Sequence, residues 1–363
     1  MYKRRKKNPF SKLFRLFSRK DALLVFLALV VVFLLMERYA GIPAEVHYLP
    51  GNAPCAAAES AAPVLGAPTY TAAEASLQPE ERIDIKAIPP KGSPVRFVMH
   101  NVHNYFVEGE QYRSRYVLKP KPKKEREAVA DVIASAKPAI VGLVEIGGPV
   151  ALQDLRERLA ARHCEFPYFR VLPRKGEDRA LALLSKYPIV QDHSQANYPL
   201  MGQQRRKMLR GILDVTIKLP DSRLYRILGA HLKSRVAQNA DAASALRQKE
   251  ACTLARYVQG IVRSQPGLPL LVFGDWNDSP SDPAVRIMVQ GVSEDAAMVR
   301  LSPEDSRGEE WTHYYKGGKE YCVYDQIFVS PLLRKRMKKS GGIVDIPAAA
   351  AASDHRALWC DLR

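Results

Sequence analysis

From Val95 onward, one short apolar run after another ends in an acid, an amide or a histidine. Val95–His100 leads into Asn101-Val102-His103-Asn104, and Ala139–Val144 into Glu145. Leu224–Ala230 is followed by His231-Leu232-Lys233-Ser234, and Leu270–Gly274 by Asp275-Trp276-Asn277-Asp278. Tyr321–Tyr324 precedes Asp325, and Ser353-Asp354-His355 precede a last run over 356–361. Apolar runs of about four to eight residues bounded by polar clusters read as buried strands. One acid at a strand end is ordinary. Six such placements imply a single edge of a core where carboxylates, amides and imidazoles meet.

The segments between these runs are mixed. Lys123–Ala136 carries Val129, Val132 and Ile133 at helical spacing and stops before Pro138, while Leu152–His163 places Leu152, Leu155 and Leu159 on one face. Further strands are expected at 168–172, 180–184 and 210–218, and a longer helix over about 241–263. Helices and strands do not alternate strictly, so two packed sheets with helices outside suit the pattern better than one doubly wound sheet. The class expected is α/β.

The residue types at the strand ends suit phosphoester chemistry. Glu145 and Asp354 are hard oxygen donors of the kind that hold Mg²⁺, with Mn²⁺ as an alternative. Such an ion polarises a phosphoryl group. Asp275 can orient or deprotonate a water. Asn277 can donate to a non-bridging phosphate oxygen without adding charge. His231 and His355 can donate protons or hold phosphate near neutral pH, each needing a carboxylate to set its tautomer, and Asp178 and Asp325 are available for that.

The N-terminal quarter is different. Residues 1–20 hold nine lysines and arginines and no acid, more than half of the formal +17 of the chain. The rest is moderately basic, which favours phosphate-bearing partners. An uncharged run, Ala22–Met36, spans roughly 22 Å as a helix at about 1.5 Å per residue. It is read as a membrane anchor within residues 22–39, with the basic tail 1–21 on the cytoplasmic side and the remainder outside. A cleaved leader and a buried core helix are the other readings. Residues 40–94, rich in Ala and Pro, read as an extended spacer before a domain over 95–363. Five cysteines without a CxxC pair argue against a thiolate zinc site, and a Cys322–Cys360 disulfide is one option in an oxidising compartment.

Taken in order, Asn101, Glu145, Gly274-Asp275-Trp276-Asn277, Tyr324-Asp325 and Ser353-Asp354-His355 resemble the endonuclease/exonuclease/phosphatase superfamily over roughly residues 95–363. The resemblance implies a four-layered α/β sandwich, two sheets flanked by helices. It implies that Asn101 and Glu145 form the first metal-site pair and that Asp354 is a late metal-side carboxylate. It makes Asp275 the residue aligning the attacking water, Asn277 the phosphate-binding amide, and His355 the essential histidine with Asp325 as its partner. His231 takes the place of a histidine following a central strand, with Asp178 as its acidic partner. His103 departs from the pattern, since some apurinic endonucleases carry an acid there. The His-Leu-Lys-Ser stretch and Arg247–Ala251 look more like bacterial secreted nucleases, which points to nucleic acid as substrate. A phospholipid or sphingolipid phosphodiesterase and a non-catalytic binding domain remain the alternatives. Trp311, Tyr314 and Tyr315 are open to two readings, stacking on a base or packing in the core.

Overall fold

The computed structural model describes residues 95–110, 119–337 and 341–362. The expected basic tail, apolar segment and spacer lie outside the described residues, among which no helix is long and apolar enough to cross a membrane. In chain order the strands are β1 (Arg96–Tyr105), β2 (Ile140–Ile146), β3 (Tyr168–Arg174), β4 (Glu177–Ser185), β5 (Ile189–Asp192), β6 (Pro199–Leu200), β7 (Gln203–Lys207) and β8 (Leu213–Lys218). They continue as β9 (Leu224–His231), β10 (Leu270–Asp275), β11 (Val299–Arg300), β12 (His313–Tyr315), β13 (Glu320–Cys322), β14 (Asp325–Val329), β15 (Gly341–Ile343) and β16 (Leu358–Asp361). The helices are α1 (Lys123–Ser135), α2 (Pro149–Ala160), α3 (Ala240–Ser264), α4 (Pro283–Gln290), α5 (Pro331–Arg336) and α6 (Ala349–Ala352).

Alternation along the strands sorts side chains into three cores. In β1, Phe97 and Met99 enter a central core while Val98 and Val102 enter an outer one. In β10, Leu271 and Phe273 face the central core, and Leu270 and Val272 a second outer core. The first sheet has the order β15-β16-β1-β2-β4-β3 and the second β11-β14-β10-β9-β8-β5. The buried faces of α1 and α2 cover the first sheet, and those of α3 and α4 cover the second. Two sheets and two helical layers therefore make the expected four-layered sandwich. Two small ribbons, β6-β7 and β12-β13, stand apart from the main sheets.

Local sequence explains where the helices lie. Ala128, Val129, Val132 and Ile133 form the buried stripe of α1, which ends ahead of Pro138. The Asn239 side chain accepts from the Ala242 N–H at 2.8 Å and starts α3. Proline opens α2, α4 and α5, where its missing N–H has no intrahelical partner to lose.

Phe273 sets the contact between the sheets. A Cβ on Gly142 would come within 2.5 Å of its ring, and one on Gly229 within 2.8 Å. Glycine on β2 and β9 leaves the space that this fully buried ring fills, a burial worth about 1.5–3 kcal/mol. Cys322 and Cys360 are free thiols, both buried, so no disulfide joins them. Cys322 lies in the β12-β13 ribbon, whereas Cys360 packs in the central core on β16, and the two belong to separate sheets.

Candidate active site

Strand register assembles half of the site before any loop contributes. β9 and β10 are parallel with His231 opposite Asp275, and β14 runs antiparallel with Asp325 opposite the same residue. His231, Asp275 and Asp325 thus form a row across the second sheet. Each continues the inward alternation of its strand, after Tyr225 and Ile227, after Leu271 and Phe273, and before Ile327 and Val329. Asn101 follows Phe97 and Met99 on β1 and faces them from the first sheet.

Glu145 reaches this edge differently. Val141 and Leu143 share its parity and face the outer core, so an uninterrupted β2 would turn Glu145 away from the site. The register shifts between Val144 and Ile146, and Glu145 is the extra residue, with φ of 65°. A bulge of this kind re-aims one side chain. β1 bulges opposite it between Asn101 and Tyr105, where His103 and Asn104 also have positive φ (43° and 52°). The Asn104 N–H donates to Glu145 Oε2 at 3.0 Å, locking the two bulges together. Asn277, at φ of 50°, is a fourth positive-φ residue here, and such strain concentrates at functional sites.

Gly274, before Asp275, has no alternative. A Cβ there would lie 1.9 Å from the Ala230 carbonyl oxygen. Trp276 turns into the outer core against Phe328, its ring 4.8 Å away. The loop beyond is clamped by charge. Arg247 and Arg235 donate to Asp278 Oδ1 at 2.6 and 3.1 Å, and Arg235 Nε donates to the Asn277 carbonyl at 2.8 Å.

The polar groups converge. His355 Nδ1 lies 2.7 Å from Asp325 Oδ2, and its Nε2 lies 3.5 Å from Asn101 Nδ2 and 4.0 Å from Asp275 Oδ2. Asn101 Nδ2 donates to Asp275 Oδ2 at 3.1 Å, while its Oδ1 accepts from the His103 N–H. The Asn277 N–H donates to Asp275 Oδ1 at 2.8 Å. Its Nδ2 donates to the Leu232 carbonyl, and the second N–H of that amide is left for another acceptor. His231 Nε2 faces Asp275 at 3.7 Å and Glu145 at 3.8 Å. Asp354 sits to one side, with Oδ1 3.2 Å from His103 Nδ1 and Oδ2 3.8 Å from His313 Nε2.

Charge and burial push these groups apart in acidity. Burial, with Asp325 and Glu145 close by, raises Asp275 to about 7, against the opposing effect of His355. Burial acts to lower His355, but Asp325, helped by Asp275 and Asp354, overrides it and raises the imidazole to about 10. His231 is held well below its ordinary value by burial and by Arg210, Arg179 and Lys233. Burial opposes ionisation of Asp354, but His313, His355 and His103 outweigh it and hold the carboxylate well below its usual range.

The donor set fits a divalent cation. Glu145, His231 and Asp275 form one potential ligand group, and Asp275, Asp325 and His355 another. Asp354 instead groups with His313 and His355. Asp325 Oδ1 and Asp354 Oδ1 are buried without a hydrogen bond, and hard oxygen donors in this number suit a hard cation.

One expected pairing does not form. His231 Nδ1 has no hydrogen-bond partner among the described residues, so Asp178 does not set its tautomer. Register shifts on β4 between Glu177 and Leu181 break the strand where Asp178 lies, and its neighbour Arg179 reaches Glu145 at 3.5 Å. Other residues support the site; the sequence reading singled out His103 and the stretch Arg247–Ala251, but not His313 or Arg210. His103 and His313 flank Asp354, and Lys121 is buried and donates to the His103 carbonyl. Arg210 and Glu250 support the His231 side, where Glu250 accepts the N–H groups of Leu209 and Lys233 at 2.8 and 2.7 Å. A signal did exist for Arg247 and Glu250. Both occupy the buried stripe of α3 along with Ala251, Leu254 and Val258, where apolar residues are the rule.

An acid raised by a carboxylate, a carboxylate raised towards neutrality, and oxygen ligands for a divalent cation, all on the shared edge of two sheets, define a hydrolase of phosphate esters. The chain belongs to the Endonuclease/Exonuclease/phosphatase family, whose model matches residues 101–355. No curated protein matches it. Among solved structures it is similar to an endonuclease/exonuclease/phosphatase from Bacteroides vulgatus (18% identity, 74% of this chain and 98% of that one, TM-score 0.55). It is similar also to the human Nocturnin catalytic domain with bound sulfate (18%, 74% and 93%, 0.52). Danio rerio TDP2 in complex with a single strand DNA product is a third (16%, 74% and 98%, 0.52). At these identities the likeness is one of fold.

Proposed function

We propose that this protein is a phosphodiesterase that hydrolyses nucleic acid by in-line attack of water, with Mg²⁺ or Mn²⁺ as cofactor. The observation that carries the reading is the pair of groups with opposite tasks, His355 on Asp325 at 2.7 Å and Asp275 4.0 Å from the same imidazole. Asp275, raised to about 7, takes the proton of the attacking water. His355, raised to about 10, carries a proton to give to the leaving oxygen. The phosphorus–oxygen bond to water forms as the bond to the leaving group breaks, and one proton passes at each end. The free N–H of Asn277 and the neutral His231 serve the non-bridging oxygens. Asn101 holds Asp275 and His355 in register. Glu145, with Asp354 and the Oδ1 of Asn101, would hold the cation, which supplies charge to offset that developing on the phosphoryl group.

A polyanionic substrate is supported by Arg179, Arg210 and Lys233, which crowd the His231 side. Residues 1–36 support placement of the domain outside the cytoplasm on a membrane anchor. The test uses purified protein with Mg²⁺ or Mn²⁺ on single- and double-stranded DNA, RNA, sphingomyelin and bis(p-nitrophenyl) phosphate, with and without EDTA. Metal-dependent cleavage of nucleic acid that is lost in Asp275→Ala is the expected result. Cleavage of lipid alone would keep the mechanism and move the substrate to a phospholipid.

A further inference from the structure

Beside Asp354 lies a groove of about 990 Å³. One wall carries an aromatic ladder in which the ring of Tyr321 stands 4.9 Å from Trp311 and 4.9 Å from Tyr314. Tyr321 is 65% exposed on β13, unusual for a ring of that size with aromatic neighbours on either side. The ladder is held from behind. Arg356 lies 4.2 Å over the Trp311 ring, and the indole N–H donates to Glu309 at 2.9 Å. Lys121, Lys124 and Lys316 also line the groove. Lys124 and Lys316 make no ion pair or hydrogen bond among the described residues.

We propose that this groove is a subsite for unpaired nucleotides next to the scissile phosphodiester, with bases stacking on Tyr321 and its neighbours and the backbone passing Lys124 and Lys316. The inference rests on the nucleic-acid reading above and narrows it to single strands. Clustered aromatic rings with unpaired cations in the same groove suit a chain that offers flat apolar faces and a phosphate at each step. A duplex hides those faces. Position supports the same use, because Asp354 and His103 line the groove, which therefore adjoins the reaction centre.

The test separates the groove from the reaction. Fluorescence anisotropy with the full chain in EDTA measures binding of a labelled single-stranded oligothymidylate, its duplex, and a strand of equal length with abasic sugars throughout. Tyr321→Ala should weaken binding of the oligothymidylate about tenfold, the loss of one stacking contact. The same change should leave the abasic strand within about twofold, and Tyr321→Phe should restore the affinity for bases. In turnover with metal the loss should fall on KM and not on kcat. Lys124→Gln with Lys316→Gln should flatten the salt dependence of binding for both strands. Equal affinity of wild type and Tyr321→Ala for oligothymidylate overturns the subsite, as does equal binding of duplex and single strand. So does a Tyr321→Ala defect confined to vesicles of phosphatidylcholine and sphingomyelin. Tyr321-dependent binding without hydrolysis in metal would uphold the subsite and refute the reaction. Hydrolysis of bis(p-nitrophenyl) phosphate without base-dependent binding would do the reverse.

Discussion

Asp325→Asn removes one charge from a buried position and little else. Asp325 accepts from His355 Nδ1 and is the largest influence raising that imidazole against its burial. The rise from 6.5 to about 10 corresponds to about 5 kcal/mol in favour of the imidazolium, at about 1.4 kcal/mol per pH unit. Without the carboxylate, burial prevails and His355 is neutral at pH 7.5, with no proton for the leaving oxygen. General acid catalysis contributes about 10²- to 10⁴-fold, and kcat should fall by that much with KM nearly unchanged. In wild type and variant alike the rate should fall as pH drops through about 7, where Asp275 takes up a proton and no longer serves as base. The assay is steady-state cleavage of a labelled oligonucleotide, beside thermal melting by circular dichroism to show an intact fold. A folded variant that keeps kcat within about fivefold of wild type would refute the assignment of His355 as the proton donor.

Two other changes probe the neighbouring groups. Glu145→Gln removes a carboxylate that the β2 bulge aims at the site, and calorimetric titration with Mn²⁺ should show affinity lowered more than about tenfold; unchanged affinity would place the cation elsewhere. Glu250→Ala strands the backbone N–H groups of Leu209 and Lys233 in a buried setting, at about 1–3 kcal/mol each, so the urea midpoint should drop; an unmoved midpoint would mean that water or a shifted loop satisfies them.

Much of the architecture was legible in the residues. The strand and helix spans read from apolar periodicity over 123–136, 139–145, 224–231, 241–263 and 270–274 lie within a few residues of α1, β2, β9, α3 and β10. The elements that escaped are short. β11 has two residues, β12 and β15 three each, and α4 eight, too few to show a period. They exist because a larger sheet or helix offers them a partner, information that is not local.

By itself the sequence determined that two sheets would share an edge rich in carboxylates and imidazoles. It also placed His231, Asp275 and Asp325 at strand ends, although their strands are apolar on both faces and only the packed sheets decide which face is inward. It could not decide the rest. Glu145 has the parity of an outward residue and is turned inward by a bulge, and Asp178 has the type of a histidine partner but sits in an irregular stretch of β4 and does not pair with His231 Nδ1. His103, His313 and the Tyr321 ladder take their place from loops and a ribbon packed beside Asp354. Periodicity is a property of neighbours along the chain, whereas a bulge, a strand register and a loop closing over a site depend on contacts between residues far apart in sequence, and only the folded structure decides those.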